Sequence, residues 1–193
     1  MEKIIFLSLS LPVLGFVLYL GVSAILKGFT AKNYDPDYWA KLIKESGAKY
    51  SVITSKHHDG FALWDTKFGE LNAVDSSAAK RDVLTPFVIA LRKNNLKVGL
   101  YYSLPDWSYA DYTHHTRDIN RYKIADEPER WSAFLKYYQG QLNELSLNMN
   151  PDLWWFDGDW EHNAKEWQID KLRLMLEANN PNVIFNSRLR GKG

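Results

Sequence analysis

The amino-acid sequence predicts an α/β fold with a parallel sheet, preceded by an apolar N-terminal helix. Helical and β-strand patterns alternate from residue 29 to the end of the chain, and no internal repeat interrupts them. An uncharged run from Ile4 to Leu26 stands before this alternation. Unusual polar and aromatic residues cluster where the predicted strands end, which is the edge where parallel α/β folds place their sites.

The uncharged run from Ile4 to Leu26 is long enough for a membrane-spanning helix. At ~1.5 Å per residue it would extend about 34 Å, and the hydrocarbon core of a bilayer is ~30 Å thick. It also resembles a secretory signal, because Lys3 precedes it and residues 22–24 (Val-Ser-Ala) offer a cleavage site of small residues. Residues 1–28 are therefore interpreted as a signal peptide or a membrane anchor helix, and residues 29–193 as a separate domain.

Helix caps and apolar spacing predict about four helix–strand units in residues 29–193. The predicted helices begin at Asp35-Pro36, at Thr85-Pro86 or Asp82, at Asp126, and close to Trp167. The predicted strands cover residues 50–54, 97–103, 153–156 and 182–188. Helices and strands in this alternation form a parallel sheet with right-handed crossovers, either open or closed into a barrel.

Composition narrows the classes of function. The net charge of +1 gives no support for nucleic acid as a partner. Cysteine is absent, so the chain has no disulfide, thiol nucleophile or cysteine metal site. No glycine-rich phosphate loop or Gly-x-Ser-x-Gly turn follows a strand, which disfavours nucleotide binding and esterase chemistry. Aromatic residues make up 15% of the chain, which indicates a large aromatic core or a ring-shaped ligand such as a carbohydrate.

Residues 154–160, WWFDGDW, place two carboxylates among three indoles at the end of a predicted strand. Indole faces stack on the C–H faces of a sugar ring, while the sugar hydroxyls need hydrogen bonds. The strand ends together deliver His57 and His58, Tyr101, Trp155 with Asp157, and Asn186 with Arg188. Asp157, followed by a glycine that lets a substrate approach, is suited to be the nucleophile of a glycoside hydrolase.

A metal hydrolase is the alternative reading of the same strand ends. His57, His58, Asp59 and Asp157 are all able to ligate zinc or manganese. Adjacent histidines on an extended chain point to opposite faces, however, so one of them would turn away from the ion. The sequence therefore favours glycoside hydrolysis over a metal hydrolase.

Four motifs resemble the α-L-fucosidases of glycoside hydrolase family 29. They are GAKYSVITSKHHDGFALWDTK, RDVLTPF followed by KVGLYYSLPDW, PDLWWFDGDWEH, and FNSRLRGKG. The resemblance implies a partial (β/α)8 TIM-like barrel and a retaining glycosidase that removes terminal α-L-fucose from glycans through a covalent glycosyl-Asp intermediate. It implies Asp157 as the nucleophile, His57 and His58 as the hydroxyl-binding pair, Tyr101 as a substrate contact, Trp155 as an aromatic wall, and Arg188 as the arginine beside the nucleophile. The resemblance also implies that neither a metal nor an organic cofactor is needed.

The resemblance also predicts missing parts. The first barrel strand of the family would precede Phe29, where the apolar run stands, and the acid/base glutamate would lie downstream of the strand that carries Asn186. The chain stops at Gly193. The expectation is a truncated copy without the acid/base glutamate and with weak or no activity, since a missing general acid costs about 10²–10⁴-fold in rate. The carboxylates of Asp59, Asp159 and Glu161 lie near in sequence, but nothing matches them to the missing acid/base glutamate.

Three other functions stay open at this point. They are a membrane-tethered sugar-binding fragment, a retaining glycosidase for another sugar, and a fragment that does not fold alone. The expected partner is a fucosylated glycan and not a nucleic acid, with the membrane contacted through residues 4–26 if that segment is uncleaved. The expected location is secreted, periplasmic or membrane-anchored on the non-cytoplasmic side, where fucosylated glycans occur.

Overall fold

The computed structural model describes residues 26–189, where helices alternate with the strands of a parallel sheet. The helices are α1 (Pro36–Glu45), α2 (Thr85–Lys93), α3 (Pro128–Met149) and α4 (Ile169–Asn179). The strands are β1 (Tyr50–Lys56), β2 (Lys97–Ser103), β3 (His114–Thr116), β4 (Ile119–Asn120), β5 (Leu153–Asp157) and β6 (Ile184–Phe185). A short 3-10 helix, Asp159–Glu161, follows β5.

The main sheet has four strands in the order β1-β2-β5-β6, and every neighbouring pair is parallel. The predicted parallel sheet of helix–strand units is therefore confirmed. Because the strands run in one direction, β1, β2 and β5 all end at the same edge, which we call the carboxyl edge. The register places Ser103 of β2 beside Asp157 of β5. The antiparallel pair β3–β4 lies in the long segment between β2 and α3.

The helix starts follow from local hydrogen bonds. Asp35 caps α1 as predicted, because its side chain accepts a hydrogen bond of 2.9 Å from the amide of Tyr38. Asp82 accepts from the amides of Leu84 and Thr85, each at 2.8 Å, so it supports the first turn of α2. The predicted start of α3 at Asp126 is wrong, since the helix begins at Pro128, whose missing N–H costs nothing at the first helical position.

The hydrophobic core lies between the sheet and the helices that cover one of its faces. Alternation along β5 buries Trp154 and Phe156 completely and leaves Trp155 48% exposed on the other face. On β2, Leu100 and Tyr102 are buried in the same layer. Helix α3 contributes the largest set of buried side chains to this core, including Phe134, Tyr138, Leu142 and Leu145. This alternation decides which residues of β2 and β5 remain for the site.

Strand β6 is shorter than the predicted strand of residues 182–188. Within the described residues it pairs with β5, through Leu153 with Ile184 and Trp154 with Phe185. Beyond it, the side chain of Asn186 continues the ladder. Its amide group donates to the carbonyl oxygen of Phe156 at 2.9 Å, and its oxygen accepts from the amide of Phe156 at 3.0 Å. Asn186 thus fixes the end of β5, where Asp157 lies.

The predicted apolar N-terminal helix lies outside the described residues, apart from its last turn. Leu26 is buried there, and its carbonyl oxygen accepts a hydrogen bond of 2.9 Å from the amide of Ala78. Within residues 26–189, no helix is long and apolar enough to cross a membrane. The interpretation of residues 1–28 as a signal peptide or anchor stays a prediction.

Candidate functional site

Asp157 is the last residue of β5, and a tyrosine on the neighbouring strand holds its carboxylate. The hydroxyl of Tyr101 donates a hydrogen bond of 2.9 Å to Oδ2 of Asp157. Burial raises the pKa of the Tyr101 hydroxyl, and the bond to the carboxylate raises this pKa further. The hydroxyl therefore stays protonated and remains a donor. A neutral donor in this position orients the carboxylate, which is the group proposed by the sequence as the nucleophile.

His57 and His58 lie together beside this pair. The ring of His57 stacks on that of Tyr101, with centroids 5.6 Å apart and an interplanar angle of 6°. The two imidazole rings have centroids only 4.4 Å apart. The expectation that adjacent histidines point to opposite faces is wrong here, because β1 ends at Lys56 and the chain turns. The turn is closed by the amide of Gly60, which donates to the carbonyl oxygen of His57 at 3.0 Å.

A serine at the end of β2 determines the tautomer of His58. The hydroxyl of Ser103 donates to the carbonyl oxygen of Pro105 at 2.8 Å, and Oγ of the same serine is hydrogen-bonded to Nδ1 of His58. Because the serine proton is used for Pro105, Nδ1 of His58 must be the donor. Burial, followed by the nearby His57, lowers the pKa of His58 from 6.5 to about 4. His58 is therefore neutral near pH 7, and its Nε2 is free of a proton and able to accept from a hydroxyl.

Gly158 allows the loops that follow β2 and β5 to pack closely. Its φ is +80°, a conformation that favours glycine. A Cβ atom at this position would collide with the ring of Pro105 and lie 3.3 Å from Cε1 of His58. The space beside the glycine is thus filled by protein, which differs from the expectation that it serves substrate approach.

The other predicted residues lie on the rim of the site. Trp155 is 48% exposed and Trp160 is 50% exposed. The guanidinium of Arg188 lies 4.9 Å from the ring centroid of Trp160, and its Nη1 is 3.8 Å from Oδ1 of Asp159. Arg188 thus contacts the segment that follows Asp157 in sequence. Its predicted role beside the nucleophile stays a prediction.

The long segment between β2 and α3 forms one wall of the site. Trp107 approaches His58, with ring centroids 5.0 Å apart. The guanidinium of Arg121 donates to the carbonyl oxygens of Trp107, Tyr109, Tyr112 and His114. Glu161 accepts from the hydroxyl of Tyr112 and from the indole nitrogen of Trp107. These bonds fix the segment against the 3-10 helix, as is expected of a loop that shapes a site.

The nearby carboxylates make contacts of their own. Asp59 accepts from the amide of Phe61 at 2.9 Å, Asp159 lies against Arg188, and the side chain of Glu161 is almost fully buried under the loop. Within residues 26–189, no cluster of three histidine, aspartate or glutamate side chains is spaced to hold a metal ion. The arrangement supplies one oriented carboxylate, a neutral imidazole acceptor and aromatic surfaces.

Sequence reasoning missed Ser103 and Trp107, which both contact His58. For Ser103 a signal existed, because it is the last residue of a strand whose neighbours also end in site residues. For Trp107 no local pattern was available, since its position depends on the path of the loop.

The chain is similar to known proteins in sequence and in fold. A family model described as alpha-L-fucosidase matches residues 19–192. An alpha-L-fucosidase of Branchiostoma floridae is 34% identical over 168 residues, which cover 83% of this chain and 35% of that protein. The chain thus spans about a third of the length of the curated relatives it matches.

Solved structures show the same arrangement of elements. A GH29 alpha-L-fucosidase from Bacteroides thetaiotaomicron superposes with a TM-score of 0.78 at 33% identity, covering 91% of this chain and 40% of that one. A second structure from that organism is a covalent intermediate trapped with 2-fluoro-fucosyl fluoride in a glutamate-to-glutamine mutant. Its TM-score is 0.77 at 31% identity, with 91% of this chain and 40% of that chain covered.

Proposed function

This chain belongs to the alpha-L-fucosidase family, and on that premise we propose that it forms part of a retaining glycosidase that removes terminal α-L-fucose from glycans. The observation that carries the proposal is the carboxylate of Asp157, held at 2.9 Å by Tyr101 beside the His57–His58 pair. The parallel four-stranded sheet supports a partial (β/α)8 barrel, since such barrels carry their catalytic residues at this strand edge.

The proposed reaction begins with attack by a carboxylate oxygen of Asp157 on the anomeric carbon of fucose. A C–O ester bond forms, the glycosidic C–O bond breaks, and its electron pair leaves with the aglycone oxygen, which takes a proton from a general acid. Water then attacks the anomeric carbon and gives a proton to the conjugate base of that acid, while the bond from the anomeric carbon to Asp157 breaks and its electron pair returns to the carboxylate. Nε2 of His58 accepts a bond from a sugar hydroxyl, and Trp155 stacks on a C–H face of the ring.

Labelling of the full chain with 2-fluoro-fucosyl fluoride tests the proposal directly. Fluoride departs with its electron pair without help from a general acid, so the reaction reports on the nucleophile and its pocket alone. Intact-mass analysis is expected to show one adduct, and peptide mapping should place it on Asp157. The Asp157→Asn variant should give no adduct, because the neutral side-chain amide of asparagine is not a nucleophile.

The matched control is Asp159→Asn, which removes the neighbouring carboxylate and should still form the adduct. A folded chain that forms no adduct contradicts the proposed function. If such a chain nevertheless binds fucose in a calorimetric titration, the sugar-binding alternative replaces the enzyme. A panel of 2-fluoro glycosyl fluorides of other sugars distinguishes a fucosidase from a related retaining glycosidase.

The proposed location is outside the cytoplasm, either secreted, periplasmic or anchored by residues 4–26. The uncharged run that precedes the domain supports this proposal. Cell fractionation with N-terminal sequencing of the mature chain tests it. A chain that begins after residue 24 indicates a signal peptide, a membrane-bound chain with an intact N-terminus indicates an anchor, and a full-length chain in the cytosolic fraction contradicts the proposal.

A further inference from the structure

A buried ion pair lies directly behind the histidine pair. Nζ of Lys56 is 3.0 Å from Oδ2 of Asp106, and both side chains are 0% exposed. Neither side chain can touch a sugar from this position. Burying two charges carries a large desolvation cost, so the pair requires a reason beyond simple stabilisation.

The Asp106 carboxylate accepts several hydrogen bonds besides the one from Lys56. The second bond to Oδ2 of Asp106 comes from the hydroxyl of Tyr137 at 2.7 Å. Oδ1 accepts from the amide and hydroxyl of Ser108, at 3.1 and 2.7 Å, and from the amide of Tyr109 at 3.0 Å. The ammonium of Lys56 also lies 4.7 Å from the ring centroid of Tyr102. A carboxylate that accepts from several fixed donors, with its cation against an aromatic ring, is held rigidly in a buried site.

The pair connects the two chain segments that surround His58. Lys56 is the last residue of β1 and is followed at once by the histidines, while Asp106 lies in the loop after β2, which ends at Ser103. Next to Asp106, the amide of Trp107 donates to the carbonyl oxygen of His58 at 2.9 Å, and its indole lies beside the imidazole. On the other side of the turn, Gly60 is packed against the side chains of Asp106 and Ser108 so closely that a Cβ would collide with both.

We propose that the Lys56–Asp106 ion pair is a positioning device for the His57–His58 pair. It joins the end of β1 to the loop after β2 and thereby holds Nδ1 of His58 on Ser103. Nε2 of His58 is left as the acceptor for a sugar hydroxyl. Lys56 and Asp106 act through the histidines and are not catalytic residues. The part of this inference that concerns sugar binding rests on the proposed function.

The first test uses nitrogen NMR of the imidazole rings in the full chain. In the unsubstituted protein His58 should show the Nδ1–H tautomer and titrate near pH 4. The double variant Lys56→Met/Asp106→Asn removes both charges at nearly constant volume. It should shift the His58 titration toward 6.5 and mix the two tautomers, because the ring is no longer held on Ser103. Unchanged His58 signals in the folded double variant overturn the proposal.

The second test measures labelling by 2-fluoro-fucosyl fluoride, separating the binding constant of the reagent from the rate of adduct formation. The double variant is expected to weaken reagent binding about tenfold, which corresponds to about one lost hydrogen bond. The Tyr101–Asp157 bond is untouched, so the rate of adduct formation at saturation should change less than the binding constant. A binding constant equal to that of the unsubstituted protein contradicts the proposal.

Two controls separate positioning from stability. The first control, Leu142→Ala, removes a buried side chain of α3 and should lower the melting temperature through a cavity in the hydrophobic core. The second control, Lys97→Met, removes an ion pair at the opposite end of the strands. Both should leave reagent binding and the His58 titration unchanged, and equal effects in Leu142→Ala would overturn the positioning role. Should the double variant not fold, Tyr137→Phe removes one donor to Asp106 and must shift the same His58 signals by a smaller amount.

The two experiments test the glycosidase proposal and the positioning role separately. If the unsubstituted chain forms no adduct, the glycosidase proposal fails. The NMR comparison still decides whether the ion pair positions His58.

Discussion

Two ion pairs lie at opposite edges of the same sheet and differ in their surroundings more than in their geometry. At the carboxyl edge, Lys56 and Asp106 are 3.0 Å apart and 0% exposed. At the amino edge, Lys97 and Asp152 are 2.9 Å apart, with side chains 70% and 25% exposed. The same charges at the same separation interact far more strongly when water is excluded, and they are also far more costly to separate.

The amino edge uses its carboxylate to join the starts of strands. Asp152 accepts from the ammonium of Lys97, from the guanidinium of Arg92 and from the amide of Val98. These bonds connect β2, the segment before β5 and helix α2 in contact with solvent. The comparison indicates that the amino edge contributes to fold stability with weak, replaceable interactions. The carboxyl edge buries its polar groups in order to hold loops in one arrangement.

The largest effect that tests this contrast is expected from Lys56→Met. It leaves the Asp106 carboxylate buried without its cation, which should lower the free energy of unfolding by about 3–5 kcal/mol. Urea unfolding at pH 7 measures the change. Adding Asp106→Asn to this variant should restore part of the loss, since no charge is then left unpaired. A loss below about 1 kcal/mol would contradict the importance of burial.

A smaller effect is expected from Gly158→Ala when it is compared with Gly47→Ala. Both glycines have positive φ, +80° and +85°. Around Gly47, between α1 and β1, nothing lies within 4 Å of a new Cβ, whereas Gly158 meets Pro105. Gly47→Ala should therefore cost only the backbone strain, about 1–2 kcal/mol, and Gly158→Ala should cost more and slow labelling of Asp157. Equal melting temperatures for the two variants would show that the carboxyl edge adapts without cost.

Acid pH should lower the free energy of unfolding through two buried histidines. Burial lowers the pKa of His58 and of His162 from 6.5 to about 4, although Glu166 acts against this shift at His162. Between pH 6.5 and about 4 the unfolded chain binds more protons than the folded one at these sites, so stability present above pH 6.5 is lost as the pH falls. Urea unfolding across this range should show proton uptake on unfolding, to which His58 and His162 together contribute up to two protons.

The variant His162→Gln isolates one of these groups. It removes a ring that is hydrogen-bonded to the hydroxyl of Thr113 at 2.6 Å. The number of protons taken up on unfolding, which is read from the slope of the unfolding free energy against pH, should fall by about one in this variant. A slope identical to that of the unsubstituted chain would show that His162 titrates normally in the folded state.

The smallest effect is expected from Lys97→Met at the amino edge. Its ammonium is exposed, and Asp152 keeps the bonds from Arg92 and Val98. The free energy of unfolding should change by about 0–1 kcal/mol and should depend on salt concentration. A change as large as that of Lys56→Met would remove the distinction between the two edges.

Much of the fold was predictable because its signals are local. The strand at residues 97–103 has the bounds that the sequence predicts, and the cap at Asp35 forms as expected. The predicted strand at 182–188 was too long, because a β-rich pattern does not show how many residues find a pairing partner; within residues 26–189 only Ile184 and Phe185 pair, with β5. Apolar spacing likewise does not show whether a helix face is covered. In α1 the apolar residues Tyr38, Trp39 and Leu42 are 56%, 43% and 45% exposed.

The sequence by itself determined the alternation of helices and strands and the presence of Asp157, Tyr101 and the two histidines at strand ends. Those features depend on caps and on side-chain periods of a few residues. Only the tertiary structure decided that the histidine rings lie side by side, that Ser103 sets the tautomer of His58, and that Lys56 meets Asp106. Ser103 is 45 residues from His58 in sequence, and Asp106 is 50 residues from Lys56. Contacts between residues so far apart depend on the strand order and on how a loop packs.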